Sequence, residues 1–344
     1  MQVQSAPMIT SSENFGPLMQ MMTGYWVSQA IYSAAKLGIP DLLKSAPIGA
    51  ADIAKKLDAN EDFVYRLMRT LGSLGILIQE DKEIFRLTPM GEMLCSDAPN
   101  SMRAIALMLG EEHYYAWGKL SEGLLSGKTP FEITYSDNCF EYFKKHSQAG
   151  EVFNDAMTAF VKNEISAVAS AYDFGQFELL MDVGGGHGRL LATILKQNPK
   201  LSGIAFDLPH VIDGALSHFK EEGVATRAQA SSGDFFSSVP EHADAYILSH
   251  IIHDWSDELA TKILINIHKA MRPNGKLLLA ETVITQSGQA PLAPLMDLNM
   301  LVMTVGGRER TEEEYRKLLK SAGFKLIKIL PVTATVSIIE AIKE

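Results

Sequence analysis

The sharpest chemical signal is the run Asp182-Val183-Gly184-Gly185-Gly186-His187-Gly188, which follows an apolar stretch and opens a helix at Arg189. Glycines at a strand-to-helix turn let the backbone bend sharply and approach a ligand closely. A dinucleotide-binding turn would need glycine at 184, 186 and 189, and position 189 is Arg. An acid at 182, with no pyrophosphate to bind, suits a ligand that carries a positive group. Asp207 ends the next strand, at about the spacing (~20 residues on) where an acid typically accepts hydrogen bonds from ribose hydroxyls. Gly233-Asp234-Phe235-Phe236 offers a third acid beside an aromatic, a pair that can bond an adenine amino group and cover its ring. Each acid alone reads as a helix cap or a turn residue. At successive strand ends of one α/β unit they read together as a nucleoside site. S-adenosylmethionine, which has an ammonium and a sulfonium but no phosphate, fits that set.

Methyl transfer from a sulfonium is an in-line displacement at carbon. A phenol or enol with a pKa near ~10 is a poor nucleophile until it loses its proton, and a neutral imidazole can take that proton near pH 7. Of nine histidines, His253 stands apart by position. It follows the apolar run Ala245–Ser249 and precedes a helix expected from about Ser256 to Met271, and ligands of open α/β sheets bind beyond such strand ends. A base of this kind needs a partner that fixes its tautomer and stabilises the imidazolium. Asp254 is expected to cap the following helix or support the loop. His187 lies inside the glycine loop and suits a cofactor or structural role. His113 and His250 are each candidates to face the substrate, without an assigned place.

The elements that must hold these groups follow from the apolar rhythm. From Leu179 onward, short apolar strands (Leu179–Val183, Gly203–Phe206, Ala245–Ser249, Lys276–Glu281) alternate with helices, the pattern of an open, mostly parallel α/β sheet. Phe324–Leu330 and Thr333–Ile339 are separated only by Pro331-Val332, so the last strand should run antiparallel. Residues 48–94 read helix, helix, hairpin, the pattern of a winged helix. Residues 47–94 carry six basic and eight acidic side chains, the wrong sign for a phosphate footprint, so packing or dimerisation is the expected role. From Phe15 to about Leu43 the chain is apolar with almost no charge before Lys36. Such helices lack a polar face and call for cover on both sides, as by a second subunit.

Composition agrees. The 344 residues suggest two domains, and 47% apolar with 21% charged residues is the balance of a globular protein. A net charge of −10 brings no bulk attraction for nucleic acid or anionic lipid. No basic residue precedes Lys36, so neither a secretory nor a mitochondrial leader is expected, and no apolar run approaches the ~18 residues of a membrane span. The two cysteines, Cys95 and Cys139, read as packing thiols of a reducing cytoplasm. No metal site is expected.

Nearly the whole chain, from about Phe15 to Lys343, resembles the S-adenosylmethionine-dependent O-methyltransferases of the caffeic acid and hydroxyindole type, in their bacterial small-molecule branch. The carrying motifs are Asp182–Gly188, Phe206-Asp207-Leu208-Pro209, Gly233-Asp234-Phe235-Phe236, His253-Asp254-Trp255-Ser256-Asp257 and Gly306-Gly307-Arg308-Glu309-Arg310-Thr311. The resemblance implies a Rossmann-like class I methyltransferase domain, a mostly parallel sheet with an antiparallel last strand, preceded by an α-helical winged-helix dimerisation domain. It implies that Gly184, Gly186, Gly188, Asp207, Leu208, Gly233, Asp234, Phe235 and Ser249 join Asp182 around the cofactor, with Ser249 where plant members carry a lysine. His253 matches the general base, and Glu281 and Glu309 match the paired carboxylates that orient it. Phe153, Asn154, Met157, Met300, Met303 and Thr304 match the acceptor pocket, with Met296 on the same helical run. Thr304 replaces an Asn of the caffeic-acid-type enzymes, which points to a different hydroxyl pattern.

The expected organisation is a flexible terminus over 1–14, the winged dimerisation domain over 15–100, a helical bridge lining the acceptor pocket over 101–174, and the cofactor-binding catalytic domain over 175–344. The expected partners are an aromatic or polyketide-like small molecule and a second copy of the chain, with S-adenosylhomocysteine as the spent cofactor. Two other readings compete: a relative that keeps the cofactor for decarboxylation, hydroxylation or a pericyclic step, and a winged-helix regulator that senses it. The complete His253, Glu281 and Glu309 set disfavours the first, and the charge balance disfavours the second.

Overall fold

The computed structural model describes residues 11–285 and 292–344. Of the segment expected to fray, positions 1–10 lie outside the described residues, and Ser11–Met22 is a helix. The chain forms two compact units: Met1–Tyr115 with Phe143–Ala159, and Ala116–Tyr142 with Phe160–Glu344.

In the first unit, Ser11–Met22 and Gly24–Lys36 present large apolar side chains to solvent, among them Phe15 (67% exposed), Met21 (78%) and Trp26 (60%). Such a surface forfeits hydrophobic stabilisation unless another chain covers it. The winged part follows. Strand β1 is Ile48–Gly49, two residues that sequence periodicity would add to the helix Ala50–Leu57. Glu61–Ser73 is capped by Asn60, whose side chain accepts the Phe63 amide, and it buries Val64, Met68 and Leu71 along one stripe. β2 (Leu77–Asp81) and β3 (Ile84–Leu87) form the hairpin, and β1 pairs with the far edge of β3. Phe85, Leu87, Ile53 and Met68 meet in its core.

The second unit is built on a seven-stranded sheet. In chain order its strands are β4 (Leu179–Val183), β5 (Ser202–Asp207), β6 (Ala228–Ser232), β7 (Ala245–Ser249) and β8 (Lys276–Glu281), then, after the short β9 (Val283–Ile284) and β10 (Arg310–Thr311), β11 (Phe324–Pro331) and β12 (Ser337–Lys343). The spatial order is β11-β12-β8-β7-β4-β5-β6. β4 to β8 are parallel, and β12 runs antiparallel to both β8 and β11. β12 begins at Ser337 rather than Thr333, because Val332 and Thr333 donate to the Val336 carbonyl and close a longer turn. β6, with the sequence Ala-Gln-Ala-Ser-Ser, lacks an apolar run because it is an edge strand. Alternate residues of the central strands feed two cores: Leu180, Ile247 and Leu278 on one face, Met181, Tyr246, Leu248, Leu277 and Leu279 on the other. Burial on both faces is why these strands read as continuous apolar runs. The same alternation puts Glu281 on the face of Leu277 and Leu279.

Candidate active site

Three loops converge on His253. It sits in a short 3₁₀ turn, Ile252–Asp254, just beyond the end of β7, and is buried. Its Nδ1 lies 2.9 Å from Oε1 of Glu309 and 3.8 Å from Oε2 of Glu281, and its Nε2 lies 3.6 Å from Oδ1 of Asp254. Burial alone would lower the imidazole pKa, but the carboxylates of Glu281, Asp254 and Glu309 outweigh it and raise it to about 10. These carboxylates favour a proton on His253.

Glu281 is fully buried at the end of β8. Its Oε1 accepts the backbone amides of Ile251 (3.0 Å) and Ile252 (2.8 Å), so it supports the very loop that carries His253. Its Oε2 has no hydrogen-bond partner among the described residues, as is true of Oε2 of Glu309. Burial raises the Glu281 pKa, against the pull of His253. Glu309 is brought to the same point by a two-residue parallel bridge: Arg310 pairs with Val283 and Thr311 with Ile284. β9 starts two positions after Glu281 and β10 one position after Glu309, so this bridge helps align carboxylates distant in sequence. The Glu309 amide donates to Oδ1 of Asp297 (2.9 Å), and the Arg308 amide to the His253 carbonyl (2.7 Å). Gly307 lets these strands touch: a Cβ there would stand 2.1 Å from the Thr304 hydroxyl and 2.8 Å from the His253 carbonyl.

The strongest fastener is Arg310, a buried guanidinium that sequence reading left without a role. It donates to Asp257 Oδ1 (2.9 and 2.8 Å) and to the carbonyls of Ile252 (3.1 Å), Trp255 (2.9 Å) and Arg308 (3.2 Å). It thereby ties the histidine loop to the Glu309 strand. Asp254 does not cap the next helix. Ser256 does, accepting the Leu259 amide, and Asp254 turns instead toward His253. His250, also unassigned from sequence, lies beside His253 with ring centroids 5.3 Å apart and bonds Glu164 at 2.8 Å. A nitrogen of each ring and an oxygen of Glu281 lie within 4.8 Å of one another, a spacing that would suit a metal. Glu164 and Glu309 already hold the two rings.

The glycine loop lies at the ends of β4 and β5. Gly184, Gly186 and Gly188 all have positive φ (74°, 55° and 73°), a backbone that only glycine adopts freely. Asp207 orders the loop by accepting the Gly186 amide (2.9 Å) with one oxygen and the Leu208 amide (2.7 Å) with the other. Asp182 is packed beneath the loop, where a Cβ on Gly185 would meet its carboxyl at 2.8 Å. Burial and then the nearby Asp207 raise its pKa to about 7, and its Oδ2 lacks a hydrogen-bond partner among the described residues. At the end of β6, Gly233 lies close against the Phe206 ring and exposed Asp234 accepts the Phe236 amide (2.8 Å). Phe235 stands edge-on to Trp255, and Ser249 is half-buried at the end of β7. A buried acid with one oxygen unpartnered, crowded by a second acid, suits a cation. Open space at the Gly186 Cβ position leaves the loop approachable. Both suit S-adenosylmethionine.

The residues matched to the acceptor pocket divide between the units. Phe153, Asn154 and Met157 belong to the first, where Phe153 stacks on Phe143 and, with Met157, packs against Ile105 and Met108, while Asn154 is exposed. Met300, Met303 and Thr304 belong to the second and are buried, and the Thr304 hydroxyl is spent on the Met300 carbonyl (2.8 Å).

A family model described as an O-methyltransferase domain matches residues 117–325, and one described as an O-methyltransferase dimerisation domain matches residues 19–97. The phenazine O-methyltransferase PhzM of Lysobacter antibioticus is 41% identical over 324 residues, 94% of this chain and 95% of that protein. The phenazine-1-carboxylate N-methyltransferase of Pseudomonas aeruginosa is 31% identical over 313 residues, 91% of this chain and 92% of that protein. The crystal structure of human N-acetylserotonin methyltransferase in complex with S-adenosylmethionine has a TM-score of 0.86 at 29% identity, covering 97% of this chain and 99% of that one. No described helix is long and apolar enough to cross a membrane. The chain belongs to the S-adenosylmethionine-dependent O-methyltransferases, an enzyme that uses this cofactor and joins a class I methyltransferase domain to the family's dimerisation domain.

Proposed function

We propose that the enzyme methylates a phenolic or enolic hydroxyl of a small aromatic acceptor, with His253 as general base held by Glu309 and Glu281. The observation that carries this is the fixed, buried imidazole: Glu309 occupies Nδ1 at 2.9 Å, which leaves Nε2 for the substrate proton. When bound, S-adenosylmethionine supplies an electrophilic methyl on a positively charged sulfur. Asp182, the 184–188 loop, Asp207, Leu208, Gly233, Asp234, Phe235 and Ser249 are the groups that would hold it, and Met300, Met303 and Thr304, with Phe153, Asn154 and Met157, are assigned to the acceptor. His253 must first lose the proton that its three carboxylates favour, and a positive charge in the cradle opposes that proton. Neutral His253 then takes the hydroxyl proton on Nε2, the oxygen forms its bond to the methyl carbon as the carbon–sulfur bond breaks, and Glu309 and Glu281 balance the new imidazolium. Proton removal of this kind contributes ~10²–10⁴-fold.

The test is methyl transfer by the His253→Ala variant, read as S-adenosylhomocysteine and a mass gain of one methyl group. A loss within that range, with unchanged S-adenosylhomocysteine affinity, is expected, and an unchanged rate removes His253 from the chemistry. The N-methyltransferase relative favours a second reading, transfer to an aromatic nitrogen. A ring nitrogen with a free lone pair needs no base, so that reading predicts little loss in His253→Ala. The exposed apolar side chains of Ser11–Met22 and Gly24–Lys36 are assigned to the homodimer interface, in keeping with the dimerisation-domain match. Sedimentation of Trp26→Glu as a monomer would support this, and an intact dimer would refute it.

A further inference from the structure

His250 has two features that packing does not require. Its φ is +53°, a left-handed backbone that costs a β-carbon-bearing residue free energy and that clusters at functional sites. Its Nε2 lies 2.8 Å from Oε2 of Glu164, while Oε1 of Glu164 accepts the Thr335 hydroxyl at 2.6 Å. Burial raises the Glu164 pKa, but the hydrogen bonds from His250 and Thr335 help bring it below the usual carboxylate range. The ionised carboxylate only accepts, so Nε2 of His250 carries a hydrogen, and in the neutral ring Nδ1 is left as an acceptor. Among the described residues nothing bonds that Nδ1. The arrangement duplicates His253 and Glu309 with the ring nitrogens exchanged: one dyad leaves Nε2 open, the other Nδ1.

We infer that His250, oriented by Glu164 and Thr335, is a second recognition edge of the acceptor site. It takes a hydrogen bond from a donor on the ring carbon adjacent to the hydroxyl that His253 deprotonates, so the preferred acceptors are aromatic rings with neighbouring donor groups, vicinal diols or amino-hydroxy pairs. Ring centroids 5.3 Å apart, tilted by 47°, put both imidazoles within reach of groups on adjacent carbons of one ring. The inference rests on the reading of His253 as the base.

The experiment measures binding of 2,3-dihydroxynaphthalene and 2-naphthol to the protein saturated with S-adenosylhomocysteine, by calorimetry. The native protein is expected to prefer the diol by about tenfold, the value of one buried hydrogen bond. His250→Asn, chosen because Asn tolerates the left-handed backbone, should bring the ratio close to one. Glu164→Gln, which frees the ring to change tautomer, should reduce it in part. Unchanged S-adenosylhomocysteine affinity certifies the fold of each variant. A native ratio near one, failure of the diol to bind at millimolar concentration, or a ratio that survives His250→Asn overturns the inference. Because the readout is binding, its failure is distinct from failure of the base assignment, which turnover by His253→Ala reports.

Discussion

Replacing Glu309 by Gln keeps the size and an acceptor for His253 Nδ1 but removes the charge 2.9 Å away. A hydrogen bond between charged groups is worth about 1.5–3 kcal/mol in a desolvated setting, which is roughly one to two pH units at ~1.36 kcal/mol each. Protonated His253, raised to about 10 in the native protein, is destabilised by that amount. Two opposed effects follow. The neutral base becomes available at lower pH, so the rising limb of the rate profile moves down by roughly one to two pH units. The imidazolium formed as the proton transfers is less well balanced, so the plateau above that limb falls by about 10- to 100-fold. The assay is kcat/KM for the acceptor against pH, at saturating cofactor, with S-adenosylhomocysteine quantified by mass spectrometry. Any pKa lowering by the bound cation acts on both proteins alike, so the comparison isolates Glu309. The two profiles would converge at low pH and part as pH rises, the variant being impaired least at low pH. A variant whose limb and plateau both coincide with the native ones would refute the assignment. A uniform loss at every pH would mean that Glu309 only holds the loop.

Glu281→Gln should fold normally, because an amide oxygen can still accept the Ile251 and Ile252 amides, whereas Glu281→Ala leaves the Ile252 N–H buried without a partner, which should cost about 1–3 kcal/mol, and the part-buried Ile251 N–H as well, read by denaturant unfolding. Asp182 has a folded pKa of about 7 against 3.8 when free. A carboxyl raised in this way loses stability as pH rises from the free value through the folded one, so Asp182→Asn should raise the melting temperature of the ligand-free protein at pH 8 and much less at pH 4, while weakening cofactor binding. Equal melting temperatures at pH 8 would contradict this. Gly307→Ala must push apart the Thr304 hydroxyl and the His253 carbonyl. We expect destabilisation of about 1–3 kcal/mol by overpacking together with loss of turnover, and a fully active variant would show that the histidine loop is not held at this point.

The parts of the site that were legible in the sequence are those where chemistry and local conformation share a few consecutive residues. The 182–188 run announces both its turn and its ligand, because positive φ at three positions needs glycine whatever the rest of the chain does. β4, β7 and β8 were legible to the residue, since burial on both faces leaves an unbroken apolar run, while polar β6 was not. Glu281 and Glu309 entered only through family resemblance: nothing local distinguishes a carboxylate that meets His253 from one in water. The bridge of two residues a side that joins them is too short to leave a periodic signal. Arg310 and the Glu164–His250 pair had no assigned place for a related reason. Each acts through a partner placed by tertiary structure. Of the two roles expected of Asp254, the cap falls to Ser256, two positions on, which leaves its place in the histidine loop. Thr304 illustrates the converse: a polar residue at a matched acceptor position spends its hydroxyl on its own helix.

The β9–β10 bridge has a consequence for how such an enzyme can change. The helix Leu292–Met303, which carries Met300 and Met303, lies in sequence between the two strands of that bridge. Closing the bridge makes this stretch a loop anchored at both ends, and loops so anchored tolerate changes in length at small entropic cost. That helix is then a cassette that can be exchanged while Glu281, Glu309 and His253 stay in register. Among the described residues, Asp297 tethers it to the Glu309 strand by receiving the Glu309 amide. A transplanted helix that keeps an acid at that position should bring new acceptor selectivity to an unaltered base, and one that omits it should loosen Glu309 along with the specificity.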